Sequence, residues 1–228
     1  MKSKRKVKPA AKAKPLAAIK RPALPNFFHE QGHIAEGLWP VAGVDEAGRG
    51  PLAGPVAVAA VILNPRDLPA GVDDSKALTA EQREPLFDLI LKKALCVSLA
   101  FASADEIDTH NIRMATLRGM ARAVAALHMP PKIALIDGRD LPPGVVCQSR
   151  AIIGGDALCL SIAAASIVAK VARDRMMARL DSHCPGYGFS RHAGYATKAH
   201  IAALTALGPS PFHRRSFGSL RTEESLAD

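Results

Sequence analysis

No apolar run in this 228-residue chain approaches the length needed to cross a bilayer, and long segments such as Val56–Leu63 stop at Asn64-Pro65. No membrane role is therefore expected. The 4 cysteines, Cys96, Cys147, Cys159 and Cys184, are widely spaced and form no C-x-x-C pair. Zinc ligation and a disulfide framework are thus unsupported, and free thiols in a reducing cytoplasm fit better. Several catalytic templates are also missing. Gly48-Arg-Gly50-Pro51 has its third glycine misplaced for dinucleotide binding, and Pro51 and Pro55 disturb the helix that should follow. There is no G-x-x-x-x-G-K-[ST] loop and no serine in a G-x-S-x-G elbow. Tyrosine is scarce, with only Tyr187 and Tyr195.

What is present is the composition of a soluble globular protein, 48% hydrophobic and 22% charged, long enough for one substantial domain. The first 21 residues hold nine Lys and Arg and no acid, which equals the whole net charge of +9 and leaves the remainder formally neutral. Residues 1–25 are Lys-, Ala- and Pro-rich and cannot bury a core, so a disordered basic arm is expected. It lacks the apolar stretch of a secretory signal. Such an arm adds sequence-independent affinity for nucleic acid, or serves solubility alone. The body is also uneven: Lys170 to Arg221 carries nine Lys and Arg against only Asp174 and Asp181. A basic C-terminal third beside acids elsewhere suits an enzyme that grips phosphates and holds metal, and a solvated positive face is the plainer alternative.

After Asn26 the chain alternates strand-like and helix-like segments. Strands are expected at Val41–Asp45, Val56–Leu63, Leu95–Ser103, Lys132–Asp137 and Val145–Gln148. Helices are expected from Thr79 to Ala94, opened by the capping box Thr79-x-x-Gln82, from Arg113 to His128, and from Leu158 to about Leu180. A last helix, Thr197–Leu207, ends at Gly208-Pro209. This order indicates an α/β domain over residues 26–218, a mixed sheet flanked by helices with a helical C-terminal extension, followed by a flexible tail at 219–228.

The chemistry concentrates in carboxylates. Asp45 and Glu46 stand together at the end of an apolar strand that runs into a glycine-rich turn. Neighbours on a regular strand point to opposite faces, so both serve one site only if the strand ends there. Adjacent carboxylates repel, and a hard divalent cation relieves them. Asp137 repeats the pattern in Ile133-Ala-Leu-Ile-Asp137-Gly138, although an Asp-Gly can be a simple turn. Asp174 lies late on the Ala-rich helix, on one face with Ser166 and Lys170, where a surface pair with Lys170 is the plainer reading. Oxygen ligands without adjacent His or Cys favour Mg²⁺ or Mn²⁺ over Zn²⁺. Four such acids beside a basic flank suggest two-metal phosphodiester cleavage.

Taken in order, the segments Gly43-Val-Asp45-Glu46-Ala-Gly48-Arg49-Gly50-Pro-Leu-Ala-Gly54-Pro, Asp74-Ser75-Lys76, Ile136-Asp137-Gly138, Gly155-Asp156, Ser161-Ile-Ala-Ala-Ala-Ser166-Ile-Val-Ala-Lys170-Val-Ala-Arg-Asp174-Arg175, His192-Ala-Gly194-Tyr195 and Gly208-Pro-Ser-Pro-Phe-His213-Arg214-Arg215-Ser-Phe217 resemble the ribonuclease HII family. The resemblance runs from Val41 to Phe217. It implies an RNase H-like fold, with Asp45, Glu46, Asp137 and Asp174 as catalytic metal-binding acids for Mn²⁺ or Mg²⁺. It implies an endonuclease acting on RNA–DNA hybrids and 5′ to ribonucleotides embedded in DNA duplexes, leaving 3′-hydroxyl and 5′-phosphate ends. It also places Gly48, Arg49 and Gly50 against the ribose 2′-hydroxyl, where bare backbone can approach a sugar. A tyrosine stacking on the neighbouring deoxyribose is implied, with Tyr195 favoured. Lys76 is expected at a phosphate or an active-site carboxylate, and His213, Arg214 and Arg215 on the basic surface near substrate. His192 and His200 are expected to be satisfied structural histidines. Nothing in the sequence demands more than a monomer. A catalytically silent nucleic-acid binder and another nuclease or transposase-type enzyme on the same fold are the rivals. Intact carboxylates argue against the first, and the Gly-Arg-Gly stretch against the second.

Overall fold

The computed structural model describes residues 24–218, so most of the expected basic arm and the 219–228 tail lie outside the described residues. The elements follow in the order α1 (Phe28–Ala35), β1 (Val41–Ala47), β2 (Val56–Ile62), α2 (Ala80–Lys93), β3 (Cys96–Ala102), α3 (Ala104–Ala125), β4 (Ile133–Asp137), β5 (Gln148–Ile152), α4 (Leu160–His183), α5 (Phe189–His192) and α6 (Lys198–Leu207). One sheet holds all the named strands in the order β3-β2-β1-β4-β5. The pairs β1–β2 and β2–β3 are antiparallel, whereas β1–β4 and β4–β5 are parallel. The mixed α/β architecture is the one expected. No helix among the described residues is long and apolar enough to cross a membrane.

Both faces of the sheet are covered, which explains why β2 is apolar throughout rather than alternating. Val56, Val58, Ala60 and Ile62 pack with α3 residues such as Ile107, Met120 and Val124 on one face. Ala59 and Val61 meet Phe87 and Ile90 of α2 and the small residues of α4 on the other. Each fully buried Val, Leu or Ile here contributes on the order of 1.5–3 kcal/mol. The N-terminal half of α4 is buried all round, so its alanines are a packing requirement. Gly43 completes the fit, because a Cβ there would lie 2.2 Å from the Ser161 backbone.

Caps fix the helix starts. The Gln82 side chain accepts from the Thr79 N–H at 2.8 Å, and Thr197 accepts from the His200 N–H at 3.2 Å. Three expectations need correction. Strand β1 continues past Asp45, with Glu46 opposite Val58 and Ala47 opposite Ala57. The last strand is Gln148–Ile152 rather than Val145–Gln148, because a half-polar edge strand pairs with β4 while apolar Val146 is exposed. Helix α3 begins at Ala104 rather than Arg113. Ser103 caps it, and Asn111 interrupts it at φ 62° while its side chain recaps Met114. The sequence also gave no sign of α1.

Candidate active site

Strands β1, β4 and β5 run parallel and end together, and open sheets gather ligands at such carboxyl ends. Asp45 lies near the end of β1, Asp137 is the last residue of β4, and Asp156 sits in a single 3-10 turn just after β5. Oxygens of these three carboxylates lie within 4.8 Å of one another. Asp45 and Asp156 are buried, and Asp137 is half-buried. Asp45 accepts the Glu46 N–H at 2.7 Å through one oxygen, while its other oxygen is buried without a partner. Asp137 accepts the Gly155 N–H at 2.7 Å, which ties the Asp156 turn to β4.

Electrostatics oppose three negative charges in this space. Burial, then the charges of Glu46 and Asp137, push the Asp45 carboxyl well above the usual carboxylate range. Asp137 is raised by burial and by Asp156. Glu46 is raised by burial against the lowering effect of Arg49, whose guanidinium lies 3.3 Å away. Without a cation, protons must take up part of this charge. An orphaned buried oxygen in an all-oxygen cluster fits a hard divalent cation, and binding one would release protons. Lys76 Nζ contacts Asp156 at 2.9 Å, the contact with an acid that the sequence allowed for it.

Asp156, not Asp174, therefore completes the cluster with Asp45 and Asp137. Asp174 is paired with Lys170 at 2.6 Å and Arg83 at 3.8 Å, the plainer reading of its helical spacing. Glu46 projects from the opposite face of β1 to Asp45 and lies outside the tight triad, yet it borders the same cleft. The signal for Asp156 was positional: once β5 is seen to end at Ile152, Gly155-Asp156 is a strand-end acid like Asp137. Placing the strand four residues early hid it.

The cleft of about 280 Å³ is lined by Asp45, Glu46 and Asp137 together with Gly48, Arg49, Gly50 and Tyr195. Gly48 has φ +96°, and a Cβ there would lie 1.8 Å from Arg173 Nε. Tyr195 is half-exposed beside Gly50, whose added Cβ would lie 3.7 Å from the ring. Tyr187, by contrast, is buried, donates to the Gly208 carbonyl at 2.7 Å and stacks on Phe189. Only Tyr195 of the two tyrosines reaches the cleft.

The expected basic surface is corrected at two positions. His213 and Arg214 are buried, at 2% and 0% exposure, and cannot meet a substrate directly. Arg214 donates to the carbonyls of Gly48, Arg49, Pro51 and Gly54. Buried Arg173, absent from the sequence expectations, donates to the carbonyls of Pro55, Ala53 and Ala193. Arg215 has an exposed side chain. His200 is buried and bonded at both ring nitrogens, and His192 is likewise bonded at both, as expected of structural histidines.

Comparison with known proteins converges on one family. A family model described as Ribonuclease HII matches residues 42–220. A Ribonuclease HII of Sinorhizobium medicae (strain WSM419) is 57% identical over 201 residues, covering 88% of this chain and 93% of that relative. Among solved structures, the ribonuclease H2 from Pyrococcus horikoshii OT3 is similar with TM-score 0.68 and 27% identity, over 82% of this chain and 99% of that one. The RNase HII solved in a PCNA complex from Archaeoglobus fulgidus gives TM-score 0.66 and 28% identity, over 78% of this chain and 95% of that one.

Proposed function

This chain belongs to the ribonuclease HII family and is an endoribonuclease, and we propose that it cuts RNA paired with DNA and the bond 5′ to ribonucleotides embedded in duplex DNA. The observation that carries this reading is the shared cleft: Asp45 and Asp137, which cluster with Asp156, line it together with Glu46, the Gly48–Gly50 backbone and Tyr195. Asp45, Glu46, Asp137 and Asp156 would hold the metal. A pair of Mg²⁺ or Mn²⁺ ions would supply the Lewis acidity needed to deprotonate water and to neutralise charge on the leaving 3′-oxygen.

The chain's own residues do the rest. Gly48 and Gly50 let backbone approach a ribose, and a DNA-only substrate offers no 2′-hydroxyl there. Tyr195 presents a half-exposed ring on which the neighbouring sugar can stack. Arg49, Lys76 and Arg215 offer positive charge to the phosphates around the scissile bond. Attack on phosphorus with departure of the upstream 3′-oxygen leaves a 3′-hydroxyl and a 5′-phosphate. The substrates in this reading are RNA–DNA hybrids and single ribonucleotides misincorporated into DNA, met by a monomer in the cytoplasm.

The test is cleavage of a DNA duplex carrying one ribonucleotide, with Mg²⁺, Mn²⁺ or EDTA, beside an all-DNA control. A metal-dependent cut 5′ to the ribonucleotide with the control intact is expected. Binding without cleavage under every metal would overturn the catalytic reading.

A further inference from the structure

We propose that Arg214 is a positioning residue for 2′-hydroxyl recognition, a buried template that aims the amide N–H groups of Arg49 and Gly50 into the cleft. This inference rests on the reading that the Gly48–Gly50 loop contacts the ribose.

The argument begins with donors. A guanidinium carries five N–H groups in a fixed planar fork. In Arg214 all five are used, and every acceptor is a backbone carbonyl of the loop. Nη2 donates to Gly48 at 2.6 Å and Gly54 at 2.8 Å, Nη1 to Arg49 at 2.9 Å and Pro51 at 2.8 Å, and Nε to Gly54 at 3.0 Å. Among the described residues Arg214 makes no ion pair, so its contacts are spent on loop shape.

In a trans peptide the carbonyl and the following N–H point in opposite directions. Turning the Gly48 and Arg49 carbonyls inward to Arg214 therefore turns the N–H groups of Arg49 and Gly50 outward. Among the described residues neither amide donates to a protein acceptor. The third carbonyl, Pro51, has its paired amide on Leu52, and that one donates to the Gly194 carbonyl at 2.8 Å. The template thus leaves two adjacent donors free on the cleft side and ties the next one to the segment that bears Tyr195.

The segment that bears Tyr195 is held from the same C-terminal region. Ser210 N–H donates to His213 Nδ1 at 2.9 Å, which puts the His213 proton on Nε2. That proton is donated to His200 Nε2 at 3.0 Å, leaving His200 Nδ1–H for the Tyr195 carbonyl at 2.9 Å. Backbone pairing of Ala53 with His213 joins the loop to this relay. Lys could not replace the fork, since one ammonium offers three donors from one point and cannot span four carbonyls.

The experiment compares the full-length wild type with Arg214→Lys and Arg214→Gln on a single-ribonucleotide duplex and on an all-DNA duplex. A displacement of about 1 Å in a positioned group costs roughly a hundredfold. Both variants are expected to lose about that in kcat/KM on the ribonucleotide, with Lys no better than Gln. Their thermal response to Mn²⁺ should stay at the wild-type value, because the carboxylates are untouched. Leu127→Ala, in the core beside α3 and away from the cleft, serves as a control that loses stability without losing cleavage below its melting point. If Arg214→Lys is folded at the assay temperature and retains wild-type kcat/KM, the proposal is overturned. If wild type does not distinguish ribonucleotide from DNA, the underlying functional reading fails instead.

A second measurement covers the case in which Arg214 variants do not fold. In Asp137→Asn, which should bind without cutting, the ¹⁵N–H resonances of Arg49 and Gly50 should shift with the ribonucleotide duplex and shift less with all-DNA. Amides that are unresponsive, or protected from exchange before substrate is added, would overturn the proposal equally.

Discussion

Replacing Asp156 by Asn should abolish metal-dependent behaviour, whereas replacing Asp174 by Asn should leave it intact. Two carboxylate charges within 4.8 Å of each other repel by at least ~3.5 kcal/mol at an effective dielectric constant of about 20. The metal-free cluster therefore loses nothing electrostatic inside the triad when Asp156 becomes neutral. Its cost is the bond to Lys76, whose side chain is 77% exposed, worth under ~1 kcal/mol. Asp156→Asn without metal should thus melt close to wild type. With Mn²⁺ at a hundred times its dissociation constant, wild type gains ~2.7 kcal/mol, or ~5–11 °C in a domain of this size. The Asp156→Asn protein should show less than about 2 °C of that gain. Its cleavage should fall more than ~100-fold, since removing even outer partners of metal ligands costs 10–100-fold. Asp174→Asn breaks pairs with Lys170 and Arg83 on a side chain that is one-third exposed. It should cost under ~1 kcal/mol and keep both the thermal shift and cleavage. Calorimetry with and without metal reads the stabilities and thermal shifts, and cleavage of a single-ribonucleotide duplex reads the activities. The reverse pattern, with the shift lost in Asp174→Asn and kept in Asp156→Asn, would refute the assignment.

Burial, then His200, pushes His213 from 6.5 down to about 4, so the folded state holds it neutral. The unfolded chain binds more protons between those values, and stability is lost as pH falls from about 6.5 to about 4, by up to ~3 kcal/mol. His213→Gln should flatten this acid limb relative to wild type in denaturant melts at pH 7 and 4.5, and an unchanged slope would contradict it. Gly48→Ala must hold alanine at φ +96° and push buried Arg173 off its carbonyls, so a loss of ~3 kcal/mol or more is expected by urea unfolding. Glu30 is fully buried, with one oxygen accepting from Ser161 and the other unpartnered, and burial raises its carboxyl. Stability from the protonated acid is present at low pH and lost as pH rises through the raised value. The stability of Glu30→Gln relative to wild type should therefore grow from pH 5 to pH 8, and a pH-independent difference would refute a protonated Glu30.

Much of the fold was legible because its signals are local. Apolar runs that end in an acid and a glycine marked β1 and β4, a capping box marked α2, the Gly208-Pro209 stop marked α6, and small residues marked the buried helix α4. Asp45 and Asp137 were legible for the same reason. Helix α3 was half hidden because Asn111 interrupts the pattern, and β5 because an edge strand needs little apolar character on its outer face.

Most element types, the strand-end acids Asp45 and Asp137 and the glycine-rich loop could be read from the chain alone, since each depends on a few consecutive residues. Tertiary structure decided which acids meet. Asp174 has strong helical neighbours in Ser166 and Lys170, but it pairs with the cations Lys170 and Arg83 and stays outside the carboxylate cluster. Asp156 enters the cluster only because β5 pairs with β4 and delivers its turn beside Asp137. The roles of Arg173 and Arg214 were likewise invisible: as charges in a basic stretch they look like surface. Only the folded chain brings 118 to 166 residues of separation to hydrogen-bond distance and gives each guanidinium its carbonyls.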